Sequence, residues 1–176
     1  MRIPKSIFLL SLLFAFSSAT ADEEDHNISF SCGFFNLTGA SVIASNAIAE
    51  SLGADDDDDI DVLTWTSFNV AYGYELWEKL EVGGILTYSY FGSGHNFNTL
   101  TLMPKAKFNW INAQKFRFYS QLAIGPSFLF NSEHFNTAAL WQVSLLGFEF
   151  GSEASFFFEF GIGQAGGFAT GVKFNL

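Results

Sequence analysis

Residues 67–76 read Ser67-Phe68-Asn69-Val70-Ala71-Tyr72-Gly73-Tyr74-Glu75-Leu76, with a large apolar or aromatic side chain at every second position and a small or polar one between. Successive side chains of a strand point to opposite faces, so a period of two marks a strand with two unlike sides. The same alternation returns along the chain. Val82, Gly84, Leu86, Tyr88 and Tyr90 alternate with Glu81, Gly83, Ile85, Thr87 and Ser89. Leu100, Leu102, Pro104, Ala106 and Phe108 alternate with Thr101, Met103, Lys105, Lys107 and Asn109. Further segments follow at 116–130, 156–163 and 169–176. Strands near Asn27–Asn36 and Thr137–Gly151 bring the expected number to eight. In the latter, Trp141, Val143 and Leu145 share one parity while Leu146, Phe148 and Phe150 share the other, which predicts a bulge near Leu145.

The connections differ in length. Trp77-Glu78-Lys79, Ile111-Asn112-Ala113-Gln114 and Ser152-Glu153-Ala154 are short, whereas Gly39–Asp61, Gly92–Asn98 and Asn131–Asn136 are longer, with a tight Gln164–Gly167 as the exception. Short turns at one end and longer loops at the other are the pattern of an outer-membrane barrel.

Residues 1–21 carry Arg2 and Lys5, the apolar run Ile7–Phe16 and Ser17-Ser18-Ala19-Thr20-Ala21 before an acidic stretch. Basic residues, a short apolar run and a small-x-small site make a secretory signal peptide, while a membrane-spanning helix needs ~20 apolar residues. The expected mature chain, residues 22–176, is the size of one domain. Cys32 is the only cysteine, so no intramolecular disulfide forms, and it lies too far behind the leader for a lipoprotein anchor. With 23 Phe and 16 Gly against 15% charged residues, the composition excludes disorder. The net charge of −10 repels phosphate backbones, so no nucleic-acid partner is expected.

Two architectures fit eight alternating strands after a leader. A secreted, lipocalin-like carrier places its apolar face inside, and a membrane barrel places it outside. The polar face decides between them. It is mostly Gly, Ala, Ser, Thr and Asn, which suits the crowded lumen of an eight-stranded barrel better than a solvated exterior. Expected aromatic girdles are Trp77, Phe108, Trp110, Phe116, Phe150 and Phe174 at the short-turn end, and Tyr90, Phe91, Phe128, Phe130 and Phe168 at the loop end. The inward parity also carries four acids, Glu75, Glu81, Glu149 and Glu159, and four bases, Lys105, Lys107, Arg117 and Lys173. An unpaired charge in a narrow lumen costs several kcal/mol, so neutral pairing is expected, forming a structural plug that closes the pore.

The chain resembles the small eight-stranded outer-membrane proteins of Gram-negative bacteria, the OmpX/OmpA-type barrel superfamily. The resemblance spans nearly all of residues 27–176 and is carried by the leader, the eight amphipathic strands, Leu80-Glu81-Val82-Gly83-Gly84, the run Phe156–Gly163 and the closing Gly171-Val172-Lys173-Phe174-Asn175-Leu176. It implies an all-β, antiparallel, up-and-down transmembrane barrel in the outer membrane, a monomer surrounded by lipid and lipopolysaccharide. It also implies recognition of the last strand by the barrel-insertion machinery. Family members usually end in an aromatic residue, whereas this sequence has Leu176, with Phe174 two places earlier on the same face. Pro104 and Pro126 each remove a ladder hydrogen bond, so bulges are expected at both.

The run Asp55–Asp59 fails a calcium-loop test, because the sixth and twelfth positions are Ile60 and Thr66 where Gly and Glu are required. A solvated, self-repelling loop over 39–61 is the better account, and no metal or cofactor site is assigned. Residues Ala40–Leu52 favour a short helix over the barrel mouth. His95 and His134, with Ser93, Ser132 and Glu133, allow a hydrolase triad on paper, but loop tips rarely hold such groups rigidly. A structural, surface-interaction or adhesion role is therefore expected ahead of a lipid-modifying enzyme.

Overall fold

The computed structural model describes residues 26–40, 66–91, 97–130 and 135–176. The leader, the acidic run 55–59 and most of the expected helix lie outside them. Eight strands run in chain order: β1 (His26–Phe34), β2 (Thr66–Trp77), β3 (Leu80–Phe91), β4 (Phe97–Ala113), β5 (Phe116–Phe130), β6 (Phe135–Gly151), β7 (Ala154–Gly163) and β8 (Phe168–Asn175). Each pairs antiparallel with its sequence neighbours, and β8 closes the ring on β1 from Asn27↔Asn175 to Phe34↔Phe168. Closure leaves no lateral edge along the body of the sheet. This is the architecture that the alternation and the resemblance both imply.

The large apolar parity faces out. Phe68 is 56% exposed and Val70, Leu86, Leu122 and Ile124 are also exposed, while Ser67, Asn69, Thr87, Thr101 and Ser127 on the other parity are buried. One expected girdle residue belongs elsewhere. Phe91 is 1% exposed, because it follows the outward Tyr90 and therefore points into the barrel; aromatic character did not set its direction, parity did.

The bulge at Leu145 is present. The β6–β7 register shifts between Ser144 and Leu146, so Leu145 and Leu146 both face out. The bulges expected at the two prolines are absent. Pro104 stays in register with Gly84 and Pro126 with Ala139. Between β4 and β5, register pairs stop at Thr101↔Ser127 and resume at Lys105↔Ala123 with the alignment unchanged. Both prolines lie on this seam, so the two missing donors share one short gap and no residue has to be extruded. Gly125 lets the backbone close in there, since a Cβ on it would meet the Leu102 carbonyl oxygen at 2.1 Å.

At the loop end β1 stops where Phe35 takes φ 60° and Asn36 begins a helical turn over residues 37–40. Asn36 caps it: the Gly39 N–H donates to Asn36 Oδ1 at 2.7 Å and the Ala40 N–H to Asn36 O at 3.0 Å. The expected helix thus begins before Ala40.

Candidate functional site

The lumen is stratified. One wall of its middle is apolar, a cluster of Ala71, Ile85, Met103 and Ala123 contributed by adjacent strands β2 to β5. The two halves on either side are held by different chemistry.

The half near the short turns contains the charges. Because β2 and β3 meet at the Glu78-Lys79 turn and β4 and β5 at Gln114-Lys115, the charged residues at these strand ends converge on one level. Lys105 Nζ lies 2.7 Å from Glu81 Oε1, and Lys107 Nζ lies 3.4 Å from Glu81 Oε2 and 3.0 Å from Glu149 Oε2. Lys173 Nζ stands 3.0 Å from Glu149 Oε1 and 3.7 Å from Glu81 Oε2. Arg117 Nη1 bridges Glu75 at 3.3 Å and Glu149 at 3.1 Å, closest to the opening, with Arg117 and Glu75 side chains 20% and 16% exposed. Glu81 and Glu149 are therefore the hubs, each facing three cations.

Glu159 is held differently. Its carboxylate accepts hydrogen bonds from Tyr119 Oη at 2.8 Å and Ser144 Oγ at 2.7 Å, and among the described residues no cation lies in salt-bridge range. Lys107 Nζ sits 4.0 Å from the centre of the Tyr119 ring, so the tyrosine carries the contact between this acid and the cationic cluster. Tyr119 has room because Gly147 is its cross-strand partner; a Cβ there would lie 2.3 Å from the ring. Tyr119 falls on the inward row of the 116–130 segment, and no role was expected of it. An inward glycine within a strand was the available signal, since it marks close approach of another group.

Among the described residues the half near the loops is neutral. The β7–β8 turn, Gln164–Gly167, folds into the mouth, using Gly166 at φ 120°. Ser67 Oγ and Asn69 Nδ2 donate to Ala165 O at 2.8 and 3.1 Å. Gln142 accepts from Ala165 N at 2.9 Å and donates to Gly166 O at 3.0 Å, which satisfies the turn's backbone inside the barrel. Gly33 makes space for it, since a Cβ would clash with the Ala165 carbonyl. The cavity left between the two halves is about 30 Å³, room for about two water molecules.

Among the described residues no histidine enters this interior. His95 and His134, with Ser93, Ser132 and Glu133, lie outside the described residues. His26, at the start of β1, contacts the Tyr72 hydroxyl and stacks at a tilt on Tyr74, on the outer surface. Among the described residues no group of His, Cys, Asp and Glu forms a metal site.

No family model matches the chain, and no curated protein matches it. Among solved structures, it is similar to the N-terminal β-barrel domain of Pseudomonas aeruginosa OprF, at 14% identity over 88% of this chain and 98% of that one, with a TM-score of 0.46.

Proposed function

We propose that this protein is an integral outer-membrane β-barrel whose lumen is filled by side chains, with residues 1–21 as its export leader, serving a structural or surface-interaction role. The observation that carries the reading is the inverted distribution of polarity. Aromatic and aliphatic side chains cover the outside, among them Phe30, Phe68, Leu122, Ile124, Phe156 and Ile162, whereas Glu81, Lys107 and Glu149 are buried within. Soluble monomers rarely expose apolar patches beyond a few hundred Å². In hydrocarbon the same surface is favourable, and a closed barrel is one of two backbone solutions that leave no unsatisfied group facing lipid. A lipocalin-like carrier has the opposite polarity.

The shortest strands support this. β8 has eight residues, β1 nine and β7 ten, close to the length that a tilted strand needs to cross a bilayer core. Even a polar side chain on the outer face is satisfied locally: the bulge frees the Leu145 carbonyl, Ser120 Oγ donates to it at 2.7 Å, and Trp110 Nε1 donates to Ser120 Oγ at 2.9 Å. With an ionic network at one end, an apolar wall in the middle and a folded-in turn at the other, the lumen offers no aqueous path. The proposed surroundings are outer-membrane lipid and lipopolysaccharide, and the proposed state is a monomer.

The test is migration of detergent-solubilised protein on a gel with and without boiling, together with planar-bilayer recording. A heat-dependent shift with no stable conductance is expected. Protein that stays monodisperse in plain buffer overturns the membrane assignment, and steady single-channel steps overturn the filled lumen.

A further inference from the structure

The wall of the barrel is not equally tall all round. β8, β1 and β7 have eight, nine and ten residues and are consecutive around the closed ring, whereas β4, β5 and β6, on the far side, have 17, 15 and 17. At about 3.3 Å per residue and a tilt near 45°, the short strands rise about 19–23 Å and the long ones about 35–40 Å. The apolar band of such a barrel is ~25 Å tall. The long strands outlast it and the short ones fall below it. Nor does the sheet continue above the short ones: β1 leaves it at Phe35, and the turn between β7 and β8 folds into the mouth, where Ala165 and Gly166 accept hydrogen bonds.

This short wall is apolar to its ends. Phe30, Phe156, Phe160 and Phe174 are exposed on its outer face, and at its top the Phe168 ring lies 6.3 Å from that of Phe34 and 5.2 Å from that of Phe160. β7, β8 and β1 contain no Trp or Tyr, the side chains that settle at headgroup level. A bilayer with an ordinary core of ~30 Å would carry hydrocarbon past Phe34 and Phe168 to the polar rim that begins at Asn36 and Gln164. A wall too short for its bilayer is accommodated by snorkelling side chains, by association or by thinning of the lipid. Snorkelling needs a long cation at the rim, and the one Lys on these three strands, Lys173, points inward to Glu149 at 3.0 Å. Association of two copies brings like charge to like charge, since the chain carries −10 and the run Asp55–Asp59 lies in the connection that leaves β1. Thinning is the remaining route.

We propose that the outer face of β7, β8 and β1 is a contact site for lipids with short saturated acyl chains, which thin the bilayer along this wall and leave it at ordinary thickness against β4, β5 and β6. Each ångström of mismatch costs a fraction of a kcal/mol, so a shortfall of several ångströms sorts chains by length at the wall without binding any one lipid permanently. The proposal deepens the membrane reading and rests on it: that reading surrounds the barrel with lipid, and the heights of its walls select which lipid stands where.

The experiment uses the full mature chain in nanodiscs of mixed dilauroyl- and dioleoyl-phosphatidylcholine. A fluorophore on the native thiol of Cys32, which shares the outward parity of Phe30 and is paired with Phe68 and Thr170, reads the short wall. Cys32→Ser combined with Ile124→Cys moves the single thiol to the outer face of β5 and reads the tall wall; Leu122→Cys in place of Ile124→Cys serves if that variant fails to fold. Bromine is placed on the chains of one lipid or the other, and quenching is normalised to discs of each lipid alone, so that it reports the local mixture. At Cys32 the dilauroyl lipid should be enriched about twofold or more over the bulk mixture, and on β5 it should match the bulk. A bulk mixture at Cys32 overturns the site. Equal enrichment at both positions overturns its restriction to one wall. Shielding of Cys32 from both lipids that grows with the number of barrels per disc overturns the lipid as occupant in favour of a second copy. Gel migration of the same samples separates these failures from that of the parent reading, which fails only if the protein does not shift on boiling and neither lipid quenches at either position.

Discussion

The two halves of the lumen solve the same problem with different chemistry. Near the short turns the space is filled by long charged side chains around two carboxylate hubs, and near the loops it is filled by backbone folded inward and satisfied by amides and hydroxyls. The difference teaches how each half can fail. A buried ionic network is conditional: complete, it holds its strands in register, but removal of one member strands its partners in a low-dielectric space. A neutral plug fails one hydrogen bond at a time.

The widest separation between the halves is expected at Glu81. Glu81→Gln keeps the volume and removes the charge that faces Lys105, Lys107 and Lys173. The expected loss is about 3–5 kcal/mol, the usual cost of leaving buried charge uncompensated. A urea titration of folding into lipid vesicles, followed by tryptophan fluorescence, measures it. In the neutral half, Gln142→Ala removes both of that residue's bonds to the Ala165–Gly166 backbone and should cost about 2 kcal/mol. It should also speed amide exchange at Ala165 while leaving the ionic half protected. Equal losses from the two substitutions would break the distinction between the halves.

Tyr119 tests the boundary of the charged half. Tyr119→Phe keeps the ring against Gly147 and beneath Lys107, and removes one of the two hydroxyls on Glu159. About 1–2 kcal/mol is expected from the same titration. Ser144→Ala should cost a similar amount, and the pair should couple, since each leaves Glu159 dependent on the other donor.

Alternation made the barrel legible, because a period of two forces opposite faces whatever the neighbours are. It also located Leu145, since a parity switch in an otherwise regular strand needs an extra residue. What it could not give was the direction of a missing donor. Pro104 and Pro126 are separated by 22 positions, and only the register places both on the β4–β5 seam, where one gap serves the two. Composition likewise put all eight luminal charges on one parity. It could not tell that Glu159 has no cation in salt-bridge range among the described residues and is held by Tyr119 and Ser144, because that depends on how far the register carries β7 along β6. The excess length of β6 over β7 was hidden for the same reason. Most strand lengths were readable within two residues, though β4 runs seven longer than its alternating segment, and where one strand outruns its neighbour is a property of pairing.

The smallest expected effect lies inside the charged half and sharpens the account of it. Arg117 bridges Glu75 and Glu149 as Lys107 bridges Glu81 and Glu149, so a count of pairs ranks the two cations alike. Exposure ranks them apart: the Arg117 side chain is 20% exposed and that of Lys107 is 4%. Water at the opening screens the guanidinium pairs and can solvate Glu75 once they are lost, and Glu149 still has Lys107 and Lys173. Arg117→Gln should therefore cost no more than about 1 kcal/mol, and less at high salt, whereas Lys107→Gln should lose several times as much with little dependence on salt. Equal and salt-independent losses at the two positions would mean that the network acts as one dry unit out to its rim.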